Sequence, residues 1–229
     1  MTASHAHGLA AILLASVTVA ACAGTTPLAA QATPQPPTAR SPALSGAAQA
    51  RADSVRYPYT AADVHFMSAM IGHHAQALVM AGWAPSHVAS ASVRTLADRI
   101  INEQQDEIHT MQQWLRDRRQ PVPEAKPGPM KMTMNGMEHE MLMPGMLTDE
   151  QMKQLEQARG AEFDRLFLTY MIQHHRGAVS MVHQLFGTSG SAQDETVFKF
   201  ASDVNVDQST EIERMQRMLF ALTIGSPAP

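Results

Sequence analysis

The chain has 229 residues, 45% of them hydrophobic by type, with a formal net charge of −4. That length suits one packed domain and is short for two, and the lack of a basic excess argues against nucleic acid as a partner. A single cysteine beside 17 methionines and 11 histidines directs any metal chemistry away from thiolate and towards thioether and imidazole.

Residues 1–21 read as an export signal. The apolar run "GLAAILLASVTVAAC" ends in Val19-Ala20-Ala21-Cys22, the pattern of a bacterial lipoprotein signal that leaves Cys22 as a lipidated N-terminus. The run is too short for a membrane span, and "MTASHAHG" before it carries no Lys or Arg. The expected location is the periplasm or cell surface, with membrane attachment through Cys22. Residues 22–58, rich in Ala, Pro, Thr, Gln and Ser, cannot bury much apolar surface and read as a disordered tether.

Helical periodicity then marks a domain over about 59–224. A first helix is expected over about 60–83, with Thr60 and Asp63 at capping-box spacing. A second runs over about 87–119 and stops before Pro121 and Pro123. A Met-rich connection follows over about 120–147. A third helix covers about 148–186, started by Thr148 and Gln151, and a fourth about 192–223 after the turn "GTSGS". No alternating run argues for a sheet. The expected fold is all-α, an antiparallel four-helix bundle with short turns after the first and third helices.

The second half repeats the first. Asp63, Phe66, Met70, Ile71, His73, His74, Ala77 and Met80 match Asp164, Phe167, Met171, Ile172, His174, His175, Ala178 and Met181 at a constant offset. "QQDEIHTM" (104–111) likewise lines up with "QSTEIERM" (208–215). Each half, about 60–119 and 148–223, is a helical hairpin that cannot bury its apolar face alone.

On a helical wheel Phe66, Met70, His73, Ala77 and Met80 form one stripe, and Asp63, Met67, Ile71, His74 and Leu78 the adjoining one. His65, Ser68, Gly72 and Gln76 fall opposite. On the second helix Glu107 shares a face with Leu96, Ile100, Met111 and Trp114, with Gln104 alongside. On the fourth, Glu211 aligns with Val204, Met215 and Met218, with Gln208 alongside. A carboxylate in an apolar stripe is costly unless something compensates it. His73, His74, His174 and His175 are therefore the principal metal-ligand candidates, with Met70 and Met171 one turn earlier. Glu107 and Glu211 would be further ligands, or acceptors that fix an imidazole tautomer. Asp63 and Asp164 stay open between helix cap, metal contact and a hydrogen bond to a ligating histidine.

The segment "MKMTMNGMEHEMLMPGM" adds Met130, Met132, Met134, Met137, His139, Met141, Met143 and Met146. So many thioethers in a connection favour a soft cation such as Cu(I) over plain packing. Met67, Met80, Met111, Met181, Met215 and Met218 read as core, and His5, His7, His65, His87, His109 and His183 are assigned to no site.

"DVHFMSAMIGHHAQALVM", "FDRLFLTYMIQHHRGAVSM", the two Gln-x-x-Glu-Ile-x-x-Met segments and "MPGMLTDEQMKQLEQARGAEFD" together resemble the domain of unknown function 305 family over about 61–221. The resemblance implies an exported, ferritin-like helical protein, with copper binding and copper tolerance linked to some members. The resulting expectation is a copper-binding protein that sequesters Cu(I) or passes it to or from a donor or acceptor protein. Two rivals remain: a ferritin-like oxidase using iron, manganese or copper, and a metal-free surface lipoprotein that binds a protein partner. Few carboxylates and no Glu-x-x-His on the first or third helix count against the oxidase.

Overall fold

The computed structural model describes residues 45–56, 58–134 and 137–225, leaving out the side chains of 53–56, 130–134, 138 and 139. The export signal and Cys22 lie outside the described residues. The described chain is mostly helical: α1 Gly46–Arg56, α2 Ala61–Gly82, α3 Ala84–His87, α4 Ala91–Asp117, α5 Asp149–Gln157, α6 Gly160–Gly187 and α7 Glu195–Thr223. Among the described residues no helix is long and apolar enough to cross a membrane.

Three expectations are corrected. Part of the presumed tether is α1, which packs on α4 and buries Ala50. The third helix is two helices, α5 and α6, because Ala158 and Arg159 are extended and Gly160 takes φ +62°, a left-handed conformation that favours glycine. The Met-rich connection holds a two-stranded antiparallel ribbon, β1 Met130–Met134 and β2 Met137–Met141. The alternation Met-Lys-Met-Thr-Met is a strand signal that the count of methionines obscured.

Helix starts follow capping chemistry. Thr60 and Asp63 form a capping box on α2, Thr148 and Gln151 one on α5. Ser90 caps α4 and Asp194 caps α7 through the N–H of Val93 and Val197. Asp194 also accepts from Trp114 Nε1 at 3.0 Å and pairs with the buried Arg118, which ties the end of α4 to the start of α7.

The buried apolar residues form two clusters. One contains Phe66, Met70 and Ile71 of α2, Ile108, Met111 and Trp114 of α4, Ala178, Met181 and Leu185 of α6, and Val197, Phe200 and Val204 of α7. The other contains Ala77 and Met80 of α2, Leu96 and Ile100 of α4, Phe163, Phe167 and Met171 of α6, and Met215 and Met218 of α7. Helices α2 and α7 run from the first cluster to the second, whereas α4 and α6 run the opposite way. Helix α2 is thus antiparallel to both of its main neighbours, α4 and α6, and α6 to α7. Each of the four long helices crosses from one cluster to the other through a short polar stretch.

Candidate functional site

Those four stretches form one layer at the waist of the molecule. It holds His73 and His74 of α2, Gln104 and Glu107 of α4, His174 and His175 of α6, and Gln208 and Glu211 of α7. The four histidines are wholly buried, Gln104, Gln208 and Glu211 nearly so, and only Glu107 keeps appreciable exposure, at 20% of its side chain.

Every Nε2 of the quartet has an acceptor. His74 donates to Glu107 Oε2 and His175 to Glu211 Oε2, each at 2.7 Å. His73 donates to the carbonyl of Pro144 at 3.0 Å, and His174 to the carbonyl of His73 at 2.9 Å. An oxygen without a proton can only accept, so each ring carries its hydrogen on Nε2. The His73 and His174 rings lie 3.9 Å apart, centroid to centroid. Burial, helped by the neighbouring His74, pushes the His73 imidazole down to about 3, against the opposing pull of the Pro144 carbonyl. His174 is held well below its ordinary value, again by burial first and then by the surrounding histidines. Both rings are neutral at physiological pH, with a lone pair on Nδ1.

No hydrogen-bond partner meets that lone pair. Ten buried side-chain nitrogen or oxygen atoms lack one among the described residues, and eight of them lie in this layer: the four Nδ1 atoms, both amide atoms of Gln104, Gln208 Oε1 and Glu211 Oε1. Buried polar atoms of native folds are seldom left this way, and each such atom costs about 1–3 kcal/mol. Their concentration in one layer singles that layer out as the candidate site. Glu211 Oε1 also faces Arg99 Nε at 3.6 Å, and Arg99 in turn binds Glu103.

Among the described residues no three His, Cys, Asp or Glu side chains converge as a metal-binding group. Imidazole as a donor suits Cu, Zn, Fe or Ni and is a poor match for an octahedral oxygen-loving ion. Met70 and Met171 are fully buried, one in each apolar cluster.

Asp63 and Asp164 stand away from the layer. Asp63 Oδ2 accepts from the N–H and hydroxyl of Thr60, and Oδ1 from Ala192 N at 2.7 Å. Asp164 accepts from Ala89 N at 3.2 Å and Ser90 N at 2.8 Å. Asp63 thus fixes the turn before α7, and Asp164 the turn before α4. Since α6 begins at Gly160, Asp164 lies near the start of that helix, and of the readings left open the structure shows hydrogen bonds to backbone N–H groups. Burial raises the Asp164 pKa, opposed by its two backbone hydrogen bonds. Asp164→Asn is expected to cost about 2 kcal/mol of stability, read by thermal melting, and to leave metal stoichiometry unchanged.

The segment 143–147 closes over the layer, and sequence reasoning missed the residues that hold it. Gln76, placed by the wheel on the outer side, is buried and clamps Leu147 through both backbone groups, at 2.7 and 3.0 Å. Its repeat partner is Gly177, where a Cβ would stand 1.9 Å from the Pro144 oxygen. Gln173 donates to the Gly145 carbonyl at 3.3 Å. Of the Met-rich set, Met143 and Met146 are buried, Met137 and Met141 are exposed, and the side chains of Met130, Met132, Met134 and His139 fall outside the described residues. The pairing of an inward Gln with a Gly at the same repeat position was the signal available.

The family profile described as domain of unknown function 305 matches residues 63–219. The chain belongs to that family. Among solved structures, a family member from Streptomyces coelicolor, itself only inferred to be secreted, is 27% identical with a TM-score of 0.58, covering 73% of this chain and 95% of that one. A family fragment from Deinococcus radiodurans is also 27% identical with a TM-score of 0.58, covering 71% and 97%. A protein named CopM in its Cu(II)-bound form is 28% identical with a TM-score of 0.52, covering 69% and 95%. In its Cu(I)-bound form the values are 27%, 0.52, 71% and 96%. A comparison with curated proteins found no match.

Proposed function

We propose that this protein is an exported copper-binding protein that sequesters Cu(I) or transfers it, taking the ion from a donor protein or passing it to an acceptor. The fold is read as a ferritin-like antiparallel four-helix bundle made of two repeats. The observation that carries the proposal is the buried layer in which four imidazoles keep Nε2 hydrogen-bonded and Nδ1 free. Neutral, desolvated imidazoles such as those of His73 and His174 are good donors for copper, and Glu107 and Glu211 orient the His74 and His175 rings through Nε2. Cu(I) is the cargo this donor set suits best. Similarity to a relative solved with Cu(I) and with Cu(II) bound supports copper as the metal. The Met-rich ribbon would capture the ion outside the layer, and lipidation at Cys22 would hold the protein at the membrane surface.

Protein purified from cells grown with copper is expected to contain copper and to show no metal-dependent oxygen uptake. Iron or manganese with oxygen uptake would instead hand the layer to a ferritin-like oxidase. Absence of any metal, with no metal-dependent shift in melting, would favour the metal-free partner-binding lipoprotein.

A further inference from the structure

A cleft of about 300 Å³ opens between the end of the ribbon and helices α2 and α6. It is lined by Met141, Met143 and Met181, with His65 among the α2 residues on its wall. We propose that this cleft is a second soft-metal site, taking Cu(I) or Ag(I) through those three thioethers with His65 as an imidazole donor. The inference rests on the copper reading of the protein but names a site separate from the histidine layer.

Four observations carry it. The eleven lining residues include no Asp or Glu, so an oxygen-loving cation finds no charged ligand there, while three of them are thioethers. Met143 and Met181 are buried at 7% exposure, whereas Met141 is 52% exposed, which places soft donors at both floor and mouth. His65 and Met143 also line a second depression with Gly72 and Pro123, so these two residues lie together on the wall between two cavities. The ribbon register then connects the cleft to the rest of the Met-rich segment. Met130 pairs with Met141, Met132 with His139 and Met134 with Met137. Strand β2 ends at Met141, the exposed methionine of the cleft wall. Pro144, on the cleft wall, is the acceptor for His73, so the floor of the cleft adjoins the histidine layer.

The test is an Ag(I) titration of the full chain carrying 13C-methyl methionine, with signals assigned through single Met→Leu variants, which conserve side-chain volume closely. The methyl signals of Met141, Met143 and Met181 are expected to move together at one Ag(I) ratio, along with the ring signals of His65. In Met143→Leu/Met181→Leu that joint shift is expected to vanish from Met141 and His65, while the histidine-layer signals still respond. If ribbon or layer signals respond and those of Met143 and Met181 stay still, the cleft site is overturned and the copper reading stands. If no methionine or histidine signal responds, both fall. A shift of the cleft methyls that an apolar ligand reproduces and Ag(I) does not would mark an apolar groove and overturn the proposal.

Discussion

Gly177→Ala is expected to destabilise the protein by about 3 kcal/mol, or roughly 6–12 °C in melting temperature. The added methyl would sit 1.9 Å from the Pro144 oxygen and 2.6 Å from Gly145 Cα, and both neighbours are backbone. No flexible side chain can move aside. Gly145 is itself committed, with φ +76° and its own Cβ position 2.6 Å from the Gln173 carbonyl, so the turn cannot settle closer elsewhere on α6. The Pro144–Gly145 turn would lift from the helix, and His73 would lose the carbonyl that fixes its tautomer. Faster exchange of the His73 ring proton should therefore accompany the lower melting point. Gly82→Ala is the control, because nothing stands within 4 Å of its Cβ position. It should be neutral or stabilising by up to about 1 kcal/mol. Equal effects from the two substitutions would show that the turn is not seated as described.

Acid should unfold the protein well before its carboxylates are fully protonated. His73 falls to about 3 in the folded state and returns to 6.5 when unfolded, so the unfolded chain binds the extra proton. A depressed folded pKa means that the stabilisation is complete above 6.5 and declines as pH falls from there towards 3. By pH 5 His73 alone accounts for a loss of about 2 kcal/mol. His174, also depressed, adds a loss of the same sign. Asp164 acts in the opposite sense, since its raised pKa makes its charged form the unfavourable one. Melting temperature measured from pH 8 to 4 should fall, and His73→Gln/His174→Gln should flatten the curve. A flat curve for the unaltered protein would mean that these rings are not neutral and buried.

How far the sequence disclosed this arrangement depended on whether the information was local. The capping boxes at Thr60 and Thr148 and the inward stripes of α2 and α4 rest on spacing within one helix, and each could be read there. The duplicated histidines and the carboxylates on the neighbouring helices could likewise be placed on the same side of their helices. What could not be read was contact between helices. The layer exists because α4 and α6 run against α2 and α7, which brings Glu107 to His74 and Glu211 to His175. The sequence left Asp63 and Asp164 open between cap, metal contact and hydrogen bond, and each accepts from a turn more than seventy residues away in sequence. Gln76 fell on the outer side of the wheel because the wheel assumes water there, and segment 143–147 occupies that space instead. The break at Gly160 needed a backbone angle that the surrounding helical pattern concealed.

The central claim is that the buried imidazoles hold Cu(I), and a competition titration of the full chain against a Cu(I) chelator tests it most directly. The comparison is with a variant in which His73, His74, His174 and His175 are all glutamine, whose amide can keep the Nε2 hydrogen bonds while removing the Nδ1 lone pairs. Circular dichroism would confirm that both chains are folded. The account predicts that the unaltered chain withholds Cu(I) from the chelator and that the variant loses the tightest equivalent. Unchanged retention by the folded variant would contradict it.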